Sequence, residues 1–268
     1  MAEQKAIFIT GAASGIGRAA GKFFAGKGWL VGLADINEAG LAETAAMLPE
    51  GRASIHRLDV RDRTAWDAAL ADFTAKSGGR LDVLFNNAGV GHGGQFAEVP
   101  PAEHDLVIDV NIKGMILGAQ AAFPYLSKTS GSALLNTCSA AGLIAGAGMT
   151  VYAMSKFAVR AMTESLEIEW QPHGIRVASL MPSFIETPLL DGMGSGSNRN
   201  IRERVTEAGM EITPVEEVAQ AAWDAVHGSA THTTVGKTAK RLKFMTRWFP
   251  GTVRKSMAKR FMDDEGRV

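Results

Sequence analysis

Short apolar runs recur along this chain, each followed by a longer stretch with helical periodicity. The runs are Ala6–Thr10, Trp29–Ala34, Ala53–Leu58, Leu81–Phe85, Ser132–Cys138 and Gly174–Leu180, with His232–Val235 as a short last one. Between them lie an Ala-rich stretch from Gly17 to about Lys27, then Asn37–Leu48, Arg61–Ser77, Pro101–Lys128, Val151–Gln171 and Pro214–His227. In Arg61–Ser77, Trp66, Leu70 and Phe73 fall on one stripe, as an amphipathic helix requires. Strand and helix alternate from end to end. That pattern predicts an α/β fold, a single parallel sheet with helices on both faces. There is no internal repeat and no linker. Residues 1–236 are expected to form one domain, with 237–268 as an extension of it.

Two stretches stand apart. Thr129–Ser155 runs 27 residues without a charge, but it is rich in Gly, Ser, Thr and Asn. It reads as a buried strand, a loop and the start of a helix, and not as a membrane span. Asp191–Asn200 is Gly/Ser-rich and is expected to be mobile.

The turn after the first strand is Gly11-Ala-Ala-Ser14-Gly15-Ile16-Gly17. Strand, glycine-rich turn and helix together are the setting of a dinucleotide site: glycines let the backbone approach a pyrophosphate, and the helix N-terminus supplies N–H groups and a positive dipole. Asp35 closes the second strand, 18 residues after Gly17. A carboxylate there accepts hydrogen bonds from ribose hydroxyls and repels a 2′-phosphate. Ile36 and Ser14 offer no positive charge to offset that repulsion, so NAD is favoured over NADP. Asp35 also lies where a residue could cap the next helix, a task open to Asn37 as well.

Tyr152 and Lys156 are four residues apart and share one helix face. An ammonium beside a phenol favours the phenolate, so Lys156 is expected to lower the pKa of Tyr152 from about 10 and make it a usable acid or base. Ser139 follows an apolar run at a strand end, where active sites of open α/β sheets gather. Asn86-Asn87-Ala88-Gly89 ends another strand with small and amide side chains. Asn111 falls inside a helical stretch, where Asn is unfavourable; it either loosens the backbone or points to solvent.

Composition narrows the classes. Of 268 residues, 46% are apolar and 21% charged, enough for a sizeable core. Formal net charge is zero, which gives no global attraction to nucleic acid. Cys138 is the one cysteine; no intrachain disulfide can form, and the residue reads as core. The N-terminal MAEQKAIFIT has only Ile7–Ile9 as an apolar core, too short for a secretory signal. A cytoplasmic location is expected.

With these motifs placed, the sequence resembles the short-chain dehydrogenase/reductase family from about Ala6 to Leu189. Thr10 to Gly17 resembles its TGxxxGIG cofactor loop and Asn86 to Gly89 its NNAG element. Asn111, Ser139, Tyr152 and Lys156 match its catalytic tetrad, in order. The resemblance implies a doubly wound Rossmann-type sheet and an NAD-dependent oxidoreductase, interconverting an alcohol and its carbonyl, usually as a homodimer or homotetramer. It implies Tyr152 as acid/base, Lys156 as the group that lowers its pKa and binds the nicotinamide ribose, Ser139 as the holder of the substrate oxygen, and Asn111 as anchor of a water in the proton relay. Cofactor contacts would come from Gly11, Ser14, Gly15, Ile16, Gly17, Asp35, Asp59, Val60, Asn87, Ala88, Gly89, Pro182, Ile185 and Thr187. Asp59-Val60 would meet the adenine, and Ile185 with Thr187 the nicotinamide end. No metal site is expected. One departure is Pro182-Ser183, where the family usually has Pro-Gly, which puts the local turn geometry in question.

Two rivals remain: an NADPH-linked carbonyl or 3-oxoacyl reductase, against which Asp35 argues, and a non-catalytic nucleotide-sensing or scaffold protein, against which the intact tetrad argues. The C-terminus adds an asymmetry. Lys237–Val268 holds ten Lys and Arg against three Asp and Glu, a net +7, which leaves −7 on the rest. Leu242, Met245 and Phe249, then Val253, Met257 and Phe261, recur at helical spacing. The tail resembles, loosely, those of family members that act on lipophilic alcohols, which hints at a lipophilic secondary alcohol as substrate. Lid, peripheral membrane contact, subunit contact and plain packing are all open for it.

Overall fold

Strand β1 (Ala6–Thr10) is buried along its whole length, in the interior of a seven-stranded parallel sheet. The computed structural model describes residues 4–192 and 200–265, the side chains of 260, 261 and 263–265 excepted. Residues 193–199 of the Gly/Ser-rich stretch and the Phe261 side chain therefore lie outside it. The other strands are β2 (Leu30–Asp35), β3 (Ala53–Arg57), β4 (Val83–Asn86), β5 (Ala133–Thr137), β6 (Arg176–Pro182) and β7 (His232–Val235), in the order β3-β2-β1-β4-β5-β6-β7. This is the parallel sheet that the alternation predicts, in the doubly wound Rossmann-type order that the resemblance implies.

Side-chain alternation along β1 serves two cores at once. Ile7 and Ile9 point to one face, where α1 (Gly15–Gly26), α2 (Glu38–Ala46) and α8 (Val215–His227) supply Phe24, Leu41 and Val218. Phe8 points to the other, with Trp66, Leu70 and Phe73 of α3 (Arg63–Lys76), Ala119 and Ala122 of α5 (Gly114–Leu126) and Trp170 of α6 (Thr150–Trp170). Between β1 and β4 the winding reverses, so the crevice at their C-terminal ends is the switch point where ligands of such sheets bind.

Pro101–Lys128 does not run as one regular helix. It is α4 (Pro101–Ile108), a widened π turn over Asp109–Lys113, and α5. Pro101–Leu126 is long and apolar enough to cross a membrane, yet α5 packs on β4, β5 and α3, as a covering helix of the sheet does. Asn37 caps α2, its Oδ1 accepting from the Gly40 N–H at 3.0 Å. A short α7 (Ile201–Glu207), unforeseen in the sequence, follows β6. The chain ends in α9 (Lys237–Trp248), lying against β7 and the 140–142 turn, and α10 (Pro250–Glu265), which contacts α9.

Candidate active site

The C-terminal ends of β1, β4 and β5 are riveted together. Thr10, fully buried, accepts at its Oγ1 from the N–H groups of Asn87 and Ala88, each at 2.9 Å. Asn87 returns a bond from its Nδ2 to the Thr10 carbonyl at 2.9 Å, and its Oδ1 accepts from Thr137 Oγ1 at 2.9 Å. The Asn87 side chain is thus spent on framework, as are Thr10, read from the sequence only as the first residue of the cofactor loop, and Thr137. Their partners lie up to 78 residues away, beyond the reach of any local signal.

On this frame the glycine turn sits against α1. Gly11 has φ +67°, a region L side chains avoid. A Cβ on Gly17 would lie 2.2 Å from the Gly11 carbonyl oxygen, so only glycine lets the helix start this close to the strand. Gly15 approaches Thr187, whose Cγ2 would be 3.0 Å from an added Cβ. This brings the loop after β6 to the mouth of the crevice. Ser14 is exposed at the start of α1, whose first turn carries no acidic residue. Ile16 packs half-buried against the core.

Asp35 ends β2 with its carboxylate held in place: Oδ2 accepts from the Ala13 N–H at 3.3 Å and Oδ1 from the Asn37 N–H at 3.0 Å. Ile36 beside it is 62% exposed and brings no charge of its own. Asp59 follows β3 with its carboxylate already engaged by Arg61, from 2.6 to 3.1 Å, and that bond holds its pKa below the usual range. Val60 is buried and accepts at its carbonyl from the Trp66 indole at 3.0 Å. Pro182 and Ile185 are buried. The Pro182-Ser183 turn needs no glycine: among the described residues no side-chain-bearing residue has positive φ, and the Ser183 N–H simply donates to the Val235 carbonyl at 3.3 Å.

Asn111, Ser139, Tyr152 and Lys156 converge here. Asn111 is fully buried in the π turn, neither solvent-facing nor idle. Its Oδ1 accepts from the Val90 N–H at 2.9 Å, while its Nδ2 donates to the Val90 carbonyl at 2.8 Å and to Ser155 Oγ at 3.1 Å. Ser155 in turn donates to the Tyr152 carbonyl at 2.7 Å. Gly89 lies between: a Cβ there would meet Asn111 Oδ1 at 3.3 Å and Lys156 Nζ at 3.6 Å. Ser139 caps the 140–142 turn, accepting from the Ala141 N–H at 3.1 Å, and its hydroxyl lies near enough to the Tyr152 phenol to favour the phenolate.

A family model described as short chain dehydrogenase matches residues 5–198. The chain belongs to that family. Among its relatives is an uncharacterized oxidoreductase of Bacillus subtilis, 35% identical over 221 residues, covering 81% of this chain and 80% of the relative. A meso-2,3-butanediol dehydrogenase of Serratia marcescens is 34% identical over 217 residues, covering 81% and 85%. Among solved structures, a 3-ketoacyl-(acyl-carrier-protein) reductase of Brucella melitensis complexed with NADH superimposes with TM-score 0.77 at 28% identity, covering 87% of this chain and 97% of the other. A short-chain dehydrogenase/reductase of Burkholderia phymatum in complex with NAD does so with TM-score 0.80 at 26%, covering 92% and 95%. The protein is an oxidoreductase of this family, with the nucleotide-binding fold that goes with it.

In this short-chain dehydrogenase the electrostatics differ from the simple expectation. The Lys156 ammonium donates to the Thr137 carbonyl at 3.0 Å, and burial pulls its pKa down to about 8. The Tyr152 phenol is pushed above its usual value, not below it: desolvation outweighs the opposing hydrogen bond from Ser139. The expected lowering by Lys156 is absent because Nζ faces Thr137 and stands 5.5 Å from the phenol ring centre. Cys138 is buried beneath, its Sγ 3.1 Å from the Lys156 carbonyl oxygen, and desolvation raises its pKa, so it is core as expected.

Beside the dehydrogenase site, the loop after β4 meets the loop before α6, the Gly94 N–H donating to the Gly148 carbonyl at 2.8 Å. The cleft there is lined by His92, Phe96, His104, Val107, Met149 and Val151. His92 Nδ1 pairs with Glu103 at 3.1 Å, and His104 stacks on Phe96.

Proposed function

We propose that this oxidoreductase uses NAD(H) in preference to NADP(H) and interconverts a lipophilic secondary alcohol and its ketone. The observation that carries the cofactor choice is Asp35: a carboxylate fixed by two backbone N–H groups at the end of β2, beside exposed Ile36. The site fits the group otherwise. The Gly11–Gly17 contact leaves bare backbone that a pyrophosphate could approach, and the first turn of α1 presents no carboxylate to repel it. Gly11 and Ser14 to Gly17 would hold the phosphates, Asp35 the adenosine ribose, Asp59 and Val60 the adenine, and Asn87 to Gly89 the cofactor's path across the crevice. Tyr152 and Lys156 would hold the second ribose, with Pro182, Ile185 and Thr187 at the nicotinamide. Asp59 would share its carboxylate with Arg61.

The bound nicotinamide supplies hydride transfer; the chain's own residues handle the proton. Ser139 orients the substrate oxygen toward the Tyr152 hydroxyl. Tyr152 takes the alcohol proton in oxidation and returns it in reduction. Lys156, whose ammonium bonds the Thr137 carbonyl, would hold the cofactor's ribose and assist the phenol. Asn111 holds the Gly89–Val90 backbone and anchors the water through which the proton leaves. The apolar lining of Phe96, Val107, Met149 and Val151 supports an apolar substrate.

The test is a turnover screen over secondary alcohols of increasing apolar size with each cofactor. The expected result is kcat/KM at least about tenfold higher with NAD, reversed by Asp35→Ala with Ile36→Arg, which removes a repulsion and adds a phosphate partner. Preference of the unmodified enzyme for NADP would sink the assignment of Asp35. Turnover of no alcohol or carbonyl at all would favour the nucleotide-sensing alternative.

Assembly as a homo-oligomer is part of this reading. Between α5 and α6 a shallow apolar cleft of about 120 Å³ is lined by Ile112, Met115, Ile116, Ala158, Val159 and Met162. Ile116, Met154 and Phe157 on the same two helices are 41%, 54% and 41% exposed, an unusual apolar concentration for a free surface. Sedimentation velocity should find a dimer or tetramer, with Phe157→Glu shifting it toward monomer.

A further inference from the structure

Helix α9 presents two contrasting sides. Its inner side carries buried Ala239 and half-buried Leu242, Met245 and Thr246, and the helix packs on β7 and the 140–142 turn. Its outer side carries Lys237, Arg241, Phe244 and Trp248, spaced so that they fall on one line. Phe244 and Trp248 are 58% and 62% exposed, and Phe249, 51% exposed, extends the row. The stripe of Leu242, Met245 and Phe249 expected from the sequence thus divides: the first two turn inward and Phe249 outward. Lys240 and Arg247 flank the aromatic line, the Arg247 guanidinium 5.7 Å from the Trp248 ring. On α10, exposed Lys255, Lys259 and Met262 share a line away from buried Val253. Of the tail's cations among the described residues, only Lys237 meets a carboxylate, Glu211 at 3.9 Å.

From this arrangement we infer that α9 and the start of α10 form a docking surface for a bilayer containing anionic phospholipid. A merely solvated basic face has no use for a row of large aromatics along its middle. The aromatics require an apolar medium and the cations beside them an anionic one, at the same level. A bilayer interface offers both within a few ångströms: Phe and Trp enter at the headgroup boundary while Lys and Arg reach the phosphates. Duplex nucleic acid would answer the cations but not bury the row. The acidic remainder of a second copy would do the same. Single-stranded RNA, whose bases can stack on aromatics, is separated by the test below.

The test uses the full-length protein, sedimented with phosphatidylcholine vesicles with and without phosphatidylglycerol. Binding is expected only with phosphatidylglycerol, and weaker by about tenfold or more at high salt. Two paired variants, Phe244→Ser with Trp248→Ser and Arg241→Glu with Arg247→Glu, should each weaken it by about fivefold or more. Circular dichroism melts verify that both variants keep the fold. Neither turnover nor cofactor choice enters the readout, so the result is independent of the proposed reaction. Absence of binding to the anionic vesicles, equal binding to neutral ones, or binding unchanged in both folded variants would overturn the proposal. So would capture of single-stranded RNA, or self-association, that the same variants abolish while vesicles go unbound.

Discussion

The Lys156 ammonium bonds the Thr137 carbonyl oxygen at 3.0 Å and stands 5.5 Å from the centre of the Tyr152 ring. Its charge is therefore directed at the backbone, and burial outweighs the Ser139 hydrogen bond in setting the phenol's pKa. The protein has two tyrosines, so the difference in phenolate absorbance between the unmodified protein and Tyr152→Phe isolates this one group. Its midpoint without cofactor is expected above the ordinary value of about 10. A midpoint below that would mean that Lys156 already acts on the phenol in the free enzyme.

Tyr152→Phe deletes one oxygen and leaves the ring in place. Turnover should fall by about 10³ or more, the range of a lost general acid–base. NADH affinity, read by fluorescence titration, should fall by no more than about tenfold, the cost of one ribose hydrogen bond. Retention of activity would remove the proton-transfer role from this residue.

Lys156 is buried with its pKa lowered to about 8. The unfolded chain binds that proton up to about 10.4, so between pH 8 and 10 the unfolded state holds more protons than the folded one. Stability contributed by this group is thus lowest below pH 8 and recovers as pH rises through the window. Lys156→Met should be more stable at pH 7 by on the order of 1–2 kcal/mol in denaturant titrations. It should also lose the recovery between pH 8 and 10. A variant less stable than the parent, with an unchanged pH profile, would show that the ammonium is not penalised by burial.

Local chemistry was legible from the sequence and distant chemistry was not. Gly11 to Gly17 and Tyr152 with Lys156 declare themselves by spacing within a turn or two, and Asp35 by its place at a strand end. Asn111 was picked out by the family resemblance, but its packing role was not, because its partners Val90 and Ser155 lie 21 and 44 residues away. The same holds for Thr10, whose hydroxyl serves Asn87 and Ala88. The direction of the Tyr152 shift was misread because desolvation depends on every element packed around the phenol, whereas helical spacing reports one neighbour only. Helix α7 escaped notice for lack of an apolar period in seven residues.

Asn111→Leu should destabilise the protein by about 1–3 kcal/mol, because it removes the partner of the half-buried Val90 N–H and carbonyl and of buried Ser155. The loss should appear as an earlier midpoint in chemical denaturation. Activity should fall further than stability accounts for, since Gly89 and Val90 border the crevice. A drop under about 0.5 kcal/mol would mean that the loop finds other partners.

The widened turn at Asp109–Lys113 holds one residue more than a regular helix needs, and this sets how the chain tolerates a change in length. Removing a single residue there would let α4 and α5 fuse into an ordinary helix whose later residues keep their headings, because the wide turn already absorbs the extra one. Deletion of Gln120, inside the regular part of α5, would instead rotate every later position by about 100°. Phe123 would then point at the sheet where buried Ala122 now does, and Ser127 where Leu126 does. The wide turn is thus a store of slack: a loss there stays local, while the same loss two turns later rewrites a core-facing side.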